Sequence, residues 1–350
     1  PDIFGQIDLV EEIIRIKGLE SIKSIEPEKK RINQTLNNEQ KHFHLIQRSI
    51  AAKGYLEAIT WSFANEKINN LFLNSKKTNK LINPISFELN VLRSSIFSNL
   101  VEKVRENIDR GENNISLFEV GPIFEGKNPG DQFVSATAIS AGYALNPSWN
   151  EKGRLLDVFD IKKDLMHVLS ELGTLEDQII IETKNTPEYY HPGKSGNISF
   201  SNNLTNYFAS FGELHPNIIK KLDIKTNSLV GFEINLTKYV KQKEKIITSK
   251  NLYKFSEYQK SQRDFAFIVD KNIQAQQLLK LIKNVDTSLI KDISVFDLYE
   301  GSNIPNGKKS LAFKVTIQSN DRALNESDIN GVSNKIVKVL EEKTGSKLRS

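Results

Sequence analysis

The stretch Arg263–Arg349 constrains the fold more than any other part of the chain. It opens on Arg263-Asp-Phe-Ala-Phe-Ile-Val-Asp270, where Phe265, Phe267 and Val269 alternate with smaller or polar neighbours, the period of a strand with one buried face. A helix-period segment with Leu278, Leu279, Ile282 and Val285 on one side follows, then two more strands at Ile293–Tyr299 and Ser310–Gln318. The connector between them carries Gly301, Pro305 and the Asn306-Gly307 pair that marks a tight turn. A second helix begins near Asn325 and runs through Ile329, Val332, Ile336, Val339 and Leu340, and Lys347–Arg349 closes as a short strand. Strand, helix, strand, strand, helix, strand is the split βαβ order of a ferredoxin-like sandwich. Phe265, Phe267 and Phe313 then belong to its core, and function depends on what stands on the open face.

Upstream of this module the chain is long enough for one or two further domains at about 100–200 residues each. Hydrophobic residues make up 38% and charged residues 26%, an ordinary globular balance. No run approaches the roughly 18 apolar residues of a membrane helix, and no charged-then-apolar leader is seen. The chain has no cysteine, which excludes disulfides, thiolate metal sites and thiol nucleophiles and suits the cytoplasm. A net charge of +5 and a pI near 9.0 permit a polyanionic partner without demanding one. The chain begins with proline and its one methionine is Met166, so it is expected to be a fragment or a processed form.

The first segment, 1–30, holds an acidic pattern, Asp2 and then Asp8, Glu11 and Glu12, ahead of an apolar helix stopped by Gly18. Asp8, Glu11 and Glu12 stand at i, i+3 and i+4 and share one helical face, onto which Asp2 can fold back. Four converging carboxylates need a hard cation, and Mg²⁺ takes oxygen ligands of this kind. Equally, Asp8-x-x-Glu11 reads as a capping box, and first-turn acids complement the helix dipole. The two readings are compatible.

Residues 38–236 read as one larger domain, a mainly antiparallel sheet flanked by helices. Helices are expected at Glu39–Lys53, after Phe97, at Asp160–Leu172 and at Pro216–Leu222. Strands are expected at Ala58–Phe63, Ile115–Phe124 with a Gly-Pro interruption, Ser135–Ala144, Ile179–Glu182, Gly196–Phe200, Asn206–Gly212 and Leu229–Ile234. Residues 237–262, rich in lysine, read as a polar connection. The overall fold class is thus α+β.

No Walker-type phosphate loop, GxGxxG or GxSxG elbow is present. The five histidines have no metal-ligand spacing; His191 and His215 sit in turns that favour geometry or capping. Arg93, between apolar positions, fits a buried structural partner better than a substrate clamp. In the last module Arg263, Lys308, Lys309, Lys314, Arg322, Lys347 and Arg349 are candidates to face a phosphate backbone, among nearly as many acids.

Read together, several segments resemble the C-terminal half of the bacterial phenylalanyl-tRNA synthetase β subunit. They are Asp2-Ile-x4-Asp8-Leu-Val-Glu-Glu12, Asn83-Pro-Ile-Ser with Val91-Leu-Arg93, Leu117-Phe-Glu-Val-Gly121, His191-Pro-Gly193, Gly212-Glu-Leu-His-Pro216, Arg263-Asp264, Phe296-Asp-Leu-Tyr-Glu-Gly301, Lys308-Lys-Ser-Leu-Ala312 and Asp321-Arg322. The resemblance implies that residues 1–30 end a B5 module in which Asp2, Asp8, Glu11 and Glu12 hold a Mg²⁺ ion shared with the α subunit. It implies that 38–236 is a catalytic-like, class II synthetase-like domain without the active site. It further implies that 256–349 is a ferredoxin-fold anticodon-binding domain that grips tRNA near the anticodon stem, for which the basic candidates Arg263, Lys308, Lys309, Arg322, Lys347 and Arg349 read above are the expected contacts. The expected whole is an (αβ)2 heterotetramer that uses ATP to charge tRNA(Phe), the α subunit doing the chemistry and this chain holding tRNA and scaffolding α. Pro122, Gln259, Ala323 and Asn325 depart from the family's pattern. Two other readings stay open, an independent class II-type ligase and a non-catalytic regulatory module.

Overall fold

Antiparallel strands whose buried residues fall on both faces build the largest of four sheets among the described residues, and helices cover it on each side. The computed structural model describes residues 3–27, 36–73, 78–128, 130–200, 206–243, 255–301 and 303–349. The chain divides into two units, Pro1–Thr248 and Ser249–Ser350.

In the first unit, helix α1 (Gln6–Lys17) and helix α2 (Asn38–Ala52) lead to strands β1 (Leu56–Glu57) and β2 (Phe63–Ala64), a short helix α3 (Glu66–Asn69), and strands β3 (Asn79–Lys80) and β4 (Val91–Leu92). Helix α4 (Phe97–Asp109) is followed by the long hairpin β5 (Ile115–Phe124) and β6 (Gln132–Ala141), then by β7 (Tyr143–Leu145) and β8 (Arg154–Leu155). Helix α5 (Val158–Glu171), strands β9 (Ile180–Glu182), β10 (Tyr190–Ser199) and β11 (Ala209–Leu214), helix α6 (Pro216–Lys221), strand β12 (Leu229–Asn235) and helix α7 (Leu236–Lys243) complete it.

Seven strands form one sheet in the order β1-β5-β6-β12-β11-β10-β9, antiparallel except for the β1–β5 edge pair. One face packs Phe118, Val120, Ala138, Val230 and Phe232 against α2, α5 and α7. The other packs Leu117, Ile139 and Leu229 against Phe97, Leu100 and Val104 of α4. Asn37 and Asp157 cap α2 and α5, so both helices begin where Asn or Asp can accept the orphan backbone donors.

Three expectations are corrected. The polar connection begins as α7, because Leu236, Tyr239 and Val240 recur at helical spacing and bury in the main core. Gly121-Pro122 does not interrupt β5, whose register with β6 runs unbroken from Ile115 to Phe124. Proline is tolerated there because β1, the neighbour on its other side, reaches only Leu117 and Phe118. The Ala58–Phe63 strand is instead a bend between β1 and β2, with Ile59 exposed.

The second unit is strand β13 (Ser261–Asp270), helix α8 (Ala275–Lys283), strands β14 (Ile290–Tyr299) and β15 (Lys308–Ile317), helix α9 (Glu326–Thr344) and strand β16 (Lys347–Leu348). The sheet order is β14-β15-β13-β16, all neighbours antiparallel, so β15 splits the β13-α8-β14 unit as a ferredoxin-like fold requires. Phe265, Phe267, Val269, Phe313 and Val315 face Leu278, Ile282, Ile329, Val332, Ile336 and Leu340 of the two helices. The α+β class and the βαββαβ module stand as expected.

Candidate functional site

Since both helices of the second unit lie on one face of its sheet, strand register decides what the other face presents. Asp264, Ala266, Ile268 and Asp270 of β13 stand opposite Lys314, Ala312, Ser310 and Lys308 of β15. On the outer side Asp292, Ser294, Asp297 and Tyr299 of β14 pair with Thr316, Lys314, Ala312 and Ser310, and on the inner edge Lys347 pairs with Ile268. Phe296 follows Ser294 onto this side, its ring centroid 5.6 Å from Lys314 Nζ, and a bulge between Val295 and Asp297 turns Asp297 and Tyr299 to the same side. The backbone N–H of Arg349 donates to the Ala266 carbonyl at 2.7 Å, while its guanidinium lies 5.1 Å from the Tyr299 ring centroid. That side chain therefore reaches across the sheet from beside Ala266 on β13 to Tyr299 on β14.

The open face thus carries two aromatic rings, each with a cation against it, on a floor of small residues. Its cations Lys308, Lys314, Lys347 and Arg349 are matched by Asp264, Asp270, Asp292 and Asp297. Lys308 lies 3.7 Å from Asp270. Such a face suits stacking of unpaired bases more than bulk attraction to phosphate.

Of the seven basic candidates read in the sequence, Lys308, Lys314, Lys347 and Arg349 meet on this face. Arg263 and Lys309 have the parity of the core residues Phe265 and Leu311 and belong to the helix-covered side; Lys309 Nζ donates to the Lys271 carbonyl at 2.9 Å. Arg322 is held elsewhere, in a two-bonded ion pair with Asp328 at 2.7 and 2.8 Å. Asp328 also accepts from Asn325 N–H at the start of α9. The Arg322 guanidinium first, and that backbone donor second, hold the Asp328 carboxyl down at about 2. Phe296 and Tyr299 were not singled out as site residues. Phe296 carried a usable signal, the alternation parity of Asp292 and Ser294, whereas Tyr299 reaches this side only through the bulge.

In the first unit the sheet face under α4 is unusually polar. Arg93 is 1% exposed: Nη1 donates to Glu119 Oε1 at 2.7 Å and to Thr60 Oγ1 at 3.0 Å, and Nε donates to the Pro122 carbonyl at 2.9 Å. Thr60 in turn donates to Glu119 Oε2 at 2.6 Å. A Cβ on Gly121 would come within 2.6 Å of Arg93 Nη2, so this position passes the guanidinium only as glycine. Arg93 is a structural partner. Farther along, Glu233 accepts from Ser95, Ser135, Thr137 and Tyr189 at 3.1–3.4 Å. Burial first, and the Glu233 charge second, push the Tyr189 hydroxyl well above its ordinary range. The cavity over these groups, lined by Ser95, Ser135, Tyr189, Ser210, Glu233 and Lys238, measures about 60 Å³, room for about two waters.

The turn histidines have structural roles. His191 Nδ1 accepts from Gly193 N–H, and His215 Nδ1 caps α6 by accepting from Asn217 N–H, each at 3.1 Å.

Asp2 lies outside the described residues. Helix α1 starts at Gln6 with Gly5 as its N-cap residue, so Asp8 is the third helical residue and not the cap. Its Oδ2 accepts from Phe4 and Gly5 N–H at 2.8 Å each, and those two bonds, Phe4 first, lower its pKa. Glu12 pairs with Arg15 at 2.6 Å. Among the described residues no three acidic or histidine side chains converge as a metal site. No helix among them is long and apolar enough to cross a membrane.

Comparison with known proteins identifies two modules. The family described as phenylalanyl tRNA synthetase beta chain CLM domain matches residues 22–236, and the ferredoxin-fold anticodon binding domain matches 256–349. The phenylalanine–tRNA ligase beta subunit of Paramagnetospirillum magneticum is 38% identical over 349 residues, 99% of this chain and 43% of that protein. The corresponding subunit of Rickettsia bellii is 38% identical over 98% of this chain and 38% of its own length. The chain thus spans less than half the length of these relatives. Among solved structures, a pyrrolysyl-tRNA synthetase of Desulfitobacterium hafniense superposes with a TM-score of 0.44 at 15% identity, covering 58% of this chain and 66% of that one. With two family modules in register and relatives matched along nearly its whole length, the chain belongs to the phenylalanyl-tRNA synthetase beta chain family.

Proposed function

We propose that this chain is the RNA-holding and scaffolding half of a phenylalanine–tRNA ligase β subunit, with 1–30 ending a B5 module, 38–236 a catalytic-like domain and 256–349 the anticodon-binding domain. The observation that carries this reading is the open face of the second sheet, where Tyr299 and Phe296 are flanked by Arg349 and Lys314. Unpaired anticodon-region bases of tRNA(Phe) stack on those rings, and Lys308 and Lys347 flank the path of the backbone.

The α subunit performs the ATP-dependent chemistry of the cytoplasmic (αβ)2 enzyme. Two features of the large sheet support that division of labour. Its polar face is taken up by the Arg93–Glu119 pair and the Glu233 hydroxyl cluster, whose groups engage one another. Between β1 and β4 the chain exposes Leu56, Ile59, Trp61, Ile82, Ile85 and Phe87, an apolar concentration expected of a protein interface. We assign that surface to the α subunit. Asp8, Glu11 and Glu12, with Asp2, hold a Mg²⁺ ion together with α-subunit ligands; a hard cation there neutralises carboxylates from both chains. The described residues supply one exposed face of α1 to it and not a complete site.

The test is binding of tRNA(Phe) to the chain across a salt series. Replacing Tyr299 by alanine removes a stacking platform of about 1–3 kcal/mol per base, a loss of roughly 5- to 150-fold. With four cations on the face, the slope of log affinity against log salt is expected to be no steeper than about −3. Unchanged affinity in Tyr299→Ala and Arg349→Ala would exclude this face as the RNA site.

A further inference from the structure

Buried polar atoms without partners are rare enough that two of them side by side ask for an explanation. Glu182 of β9 and Asn197 of β10 are direct cross-strand partners. Asn197 is 3% exposed, and its Nδ2 donates to the Asn185 carbonyl at 3.0 Å. Its Oδ1 has no hydrogen-bond partner, and neither has the buried Oε2 of Glu182.

Turning the Asn197 amide over does not resolve this. Nδ2 would then be free to donate toward Glu182, but Oδ1 would face the Asn185 carbonyl, acceptor against acceptor. Two acceptors on adjacent strands need something donating or positive from outside the pair. A water would fill the geometry but leave the carboxylate charge, which makes no ion pair with a described residue, uncompensated in a partly buried place. Strand β9 is the edge of the seven-stranded sheet, so an ion has a path from solvent.

We propose that Glu182 and Asn197 hold a hard, oxygen-seeking cation that keeps several of its own waters, the binding mode of Mg²⁺ at sites offering one carboxylate. The ion joins the edge strand to β10 at the point where the following segment is already fastened by Asn197 to Asn185 and by Thr186 Oγ1 to Ser195 Oγ at 2.8 Å. It therefore stabilises the edge of the sheet and makes that edge sensitive to divalent ions.

The test measures unfolding of the whole chain in MgCl2, CaCl2, KCl and NaCl at matched ionic strength, with Mn²⁺ as a relaxation and anomalous-diffraction probe. At a concentration ten times the dissociation constant, the unfolding equilibrium constant of the chain should fall about tenfold. Glu182→Gln should abolish that response, since it removes the charge and offers Asn197 Oδ1 an amide donor. Asn197→Asp should move half-saturation to lower concentration, because it adds a second carboxylate. To keep the acids of α1 out of the result, the series is repeated in Asp8→Ala/Glu12→Ala, where the response should persist. A Glu182→Gln chain that responds as the native one does, or a Mn²⁺ anomalous signal absent from this pair at saturation, overturns the proposal.

Discussion

Removing the Arg93 guanidinium is the sharpest available perturbation of the large sheet, because it separates a structural arginine from a substrate-binding one. Arg93 and Glu119 are almost fully buried and 2.7 Å apart, and Thr60 and the Pro122 carbonyl complete the set. Arg93→Met keeps the volume and much of the apolar stem but leaves Glu119 as a buried carboxylate with only Thr60 to donate to it. Losing one partner of such a pair costs about 3–5 kcal/mol. Against a total of about 5–15 kcal/mol for a domain, that is about a fifth or more of the stability. For a unit of this size each kcal/mol lowers the melting midpoint by about 2–4 °C, so a drop of roughly 6–20 °C is expected by circular dichroism.

The second variant tests the cause. Glu119→Gln on top of Arg93→Met removes the stranded charge while leaving an acceptor for Thr60, and should return at least about 2 kcal/mol of the loss. Gly121→Ala should cost the native chain as much as any lesion here, since the added methyl collides with Nη2, and should cost markedly less once the guanidinium is gone. A coupling energy below about 0.5 kcal/mol between positions 93 and 119 would refute the reasoning, because residues in one buried network do not behave additively. If Arg93→Met instead left stability intact and abolished binding of a nucleotide or amino acid, the arginine would be a ligand clamp.

Other outcomes follow from the same contacts. The Asp328 carboxyl, held at about 2 by Arg322, contributes stability that is fully present above its ordinary value of 3.8 and is lost as pH falls through about 2. A carboxyl NMR titration should show this, and Arg322→Met should move the midpoint up toward the ordinary value; an unchanged midpoint would mean the ion pair does not form. Asp8→Ala with Glu12→Ala should weaken association with the α subunit in Mg²⁺ but not in EDTA, measured by sedimentation, whereas equal loss in both would leave only the helix-end bonds from Phe4 and Gly5. Trp61→Ser with Ile59→Ser should reduce that association without lowering the melting midpoint of the chain, because both side chains are mostly exposed.

What could be read in advance depended on whether one period governed a segment. Along β13, β15 and α9 a single repeat is kept for ten residues or more, so Phe265, Phe267, Phe313, Ile329 and Ile336 were assignable to the core. The same parity already separated Lys308 from Lys309, since Lys309 shares its side with Leu311 and Phe313. Treating both as RNA contacts ignored a distinction the alternation contained. Strand β14 is different. Its bulge between Val295 and Asp297 shifts the register by one, so plain alternation from Ser294 puts Tyr299 on the wrong side, and its strand pairing with β15 had to be seen. At the amino end the capping reading of the acids failed in detail because the helix begins before Asp8, which turns that residue from a cap into the third helical residue reaching back. The large sheet hid its polar interior for a further reason. Arg93 lies far from Glu119 in the chain, as Glu233 does from Ser95 and Ser135, and each group assembles only because β5 and β12 flank β6 while the stretch after β4 passes over them. A carboxylate among alternating apolar residues looks like an edge position until its neighbours across the sheet are known. Charges carried that deep must be matched within the protein, and that matching uses the groups a substrate would otherwise engage.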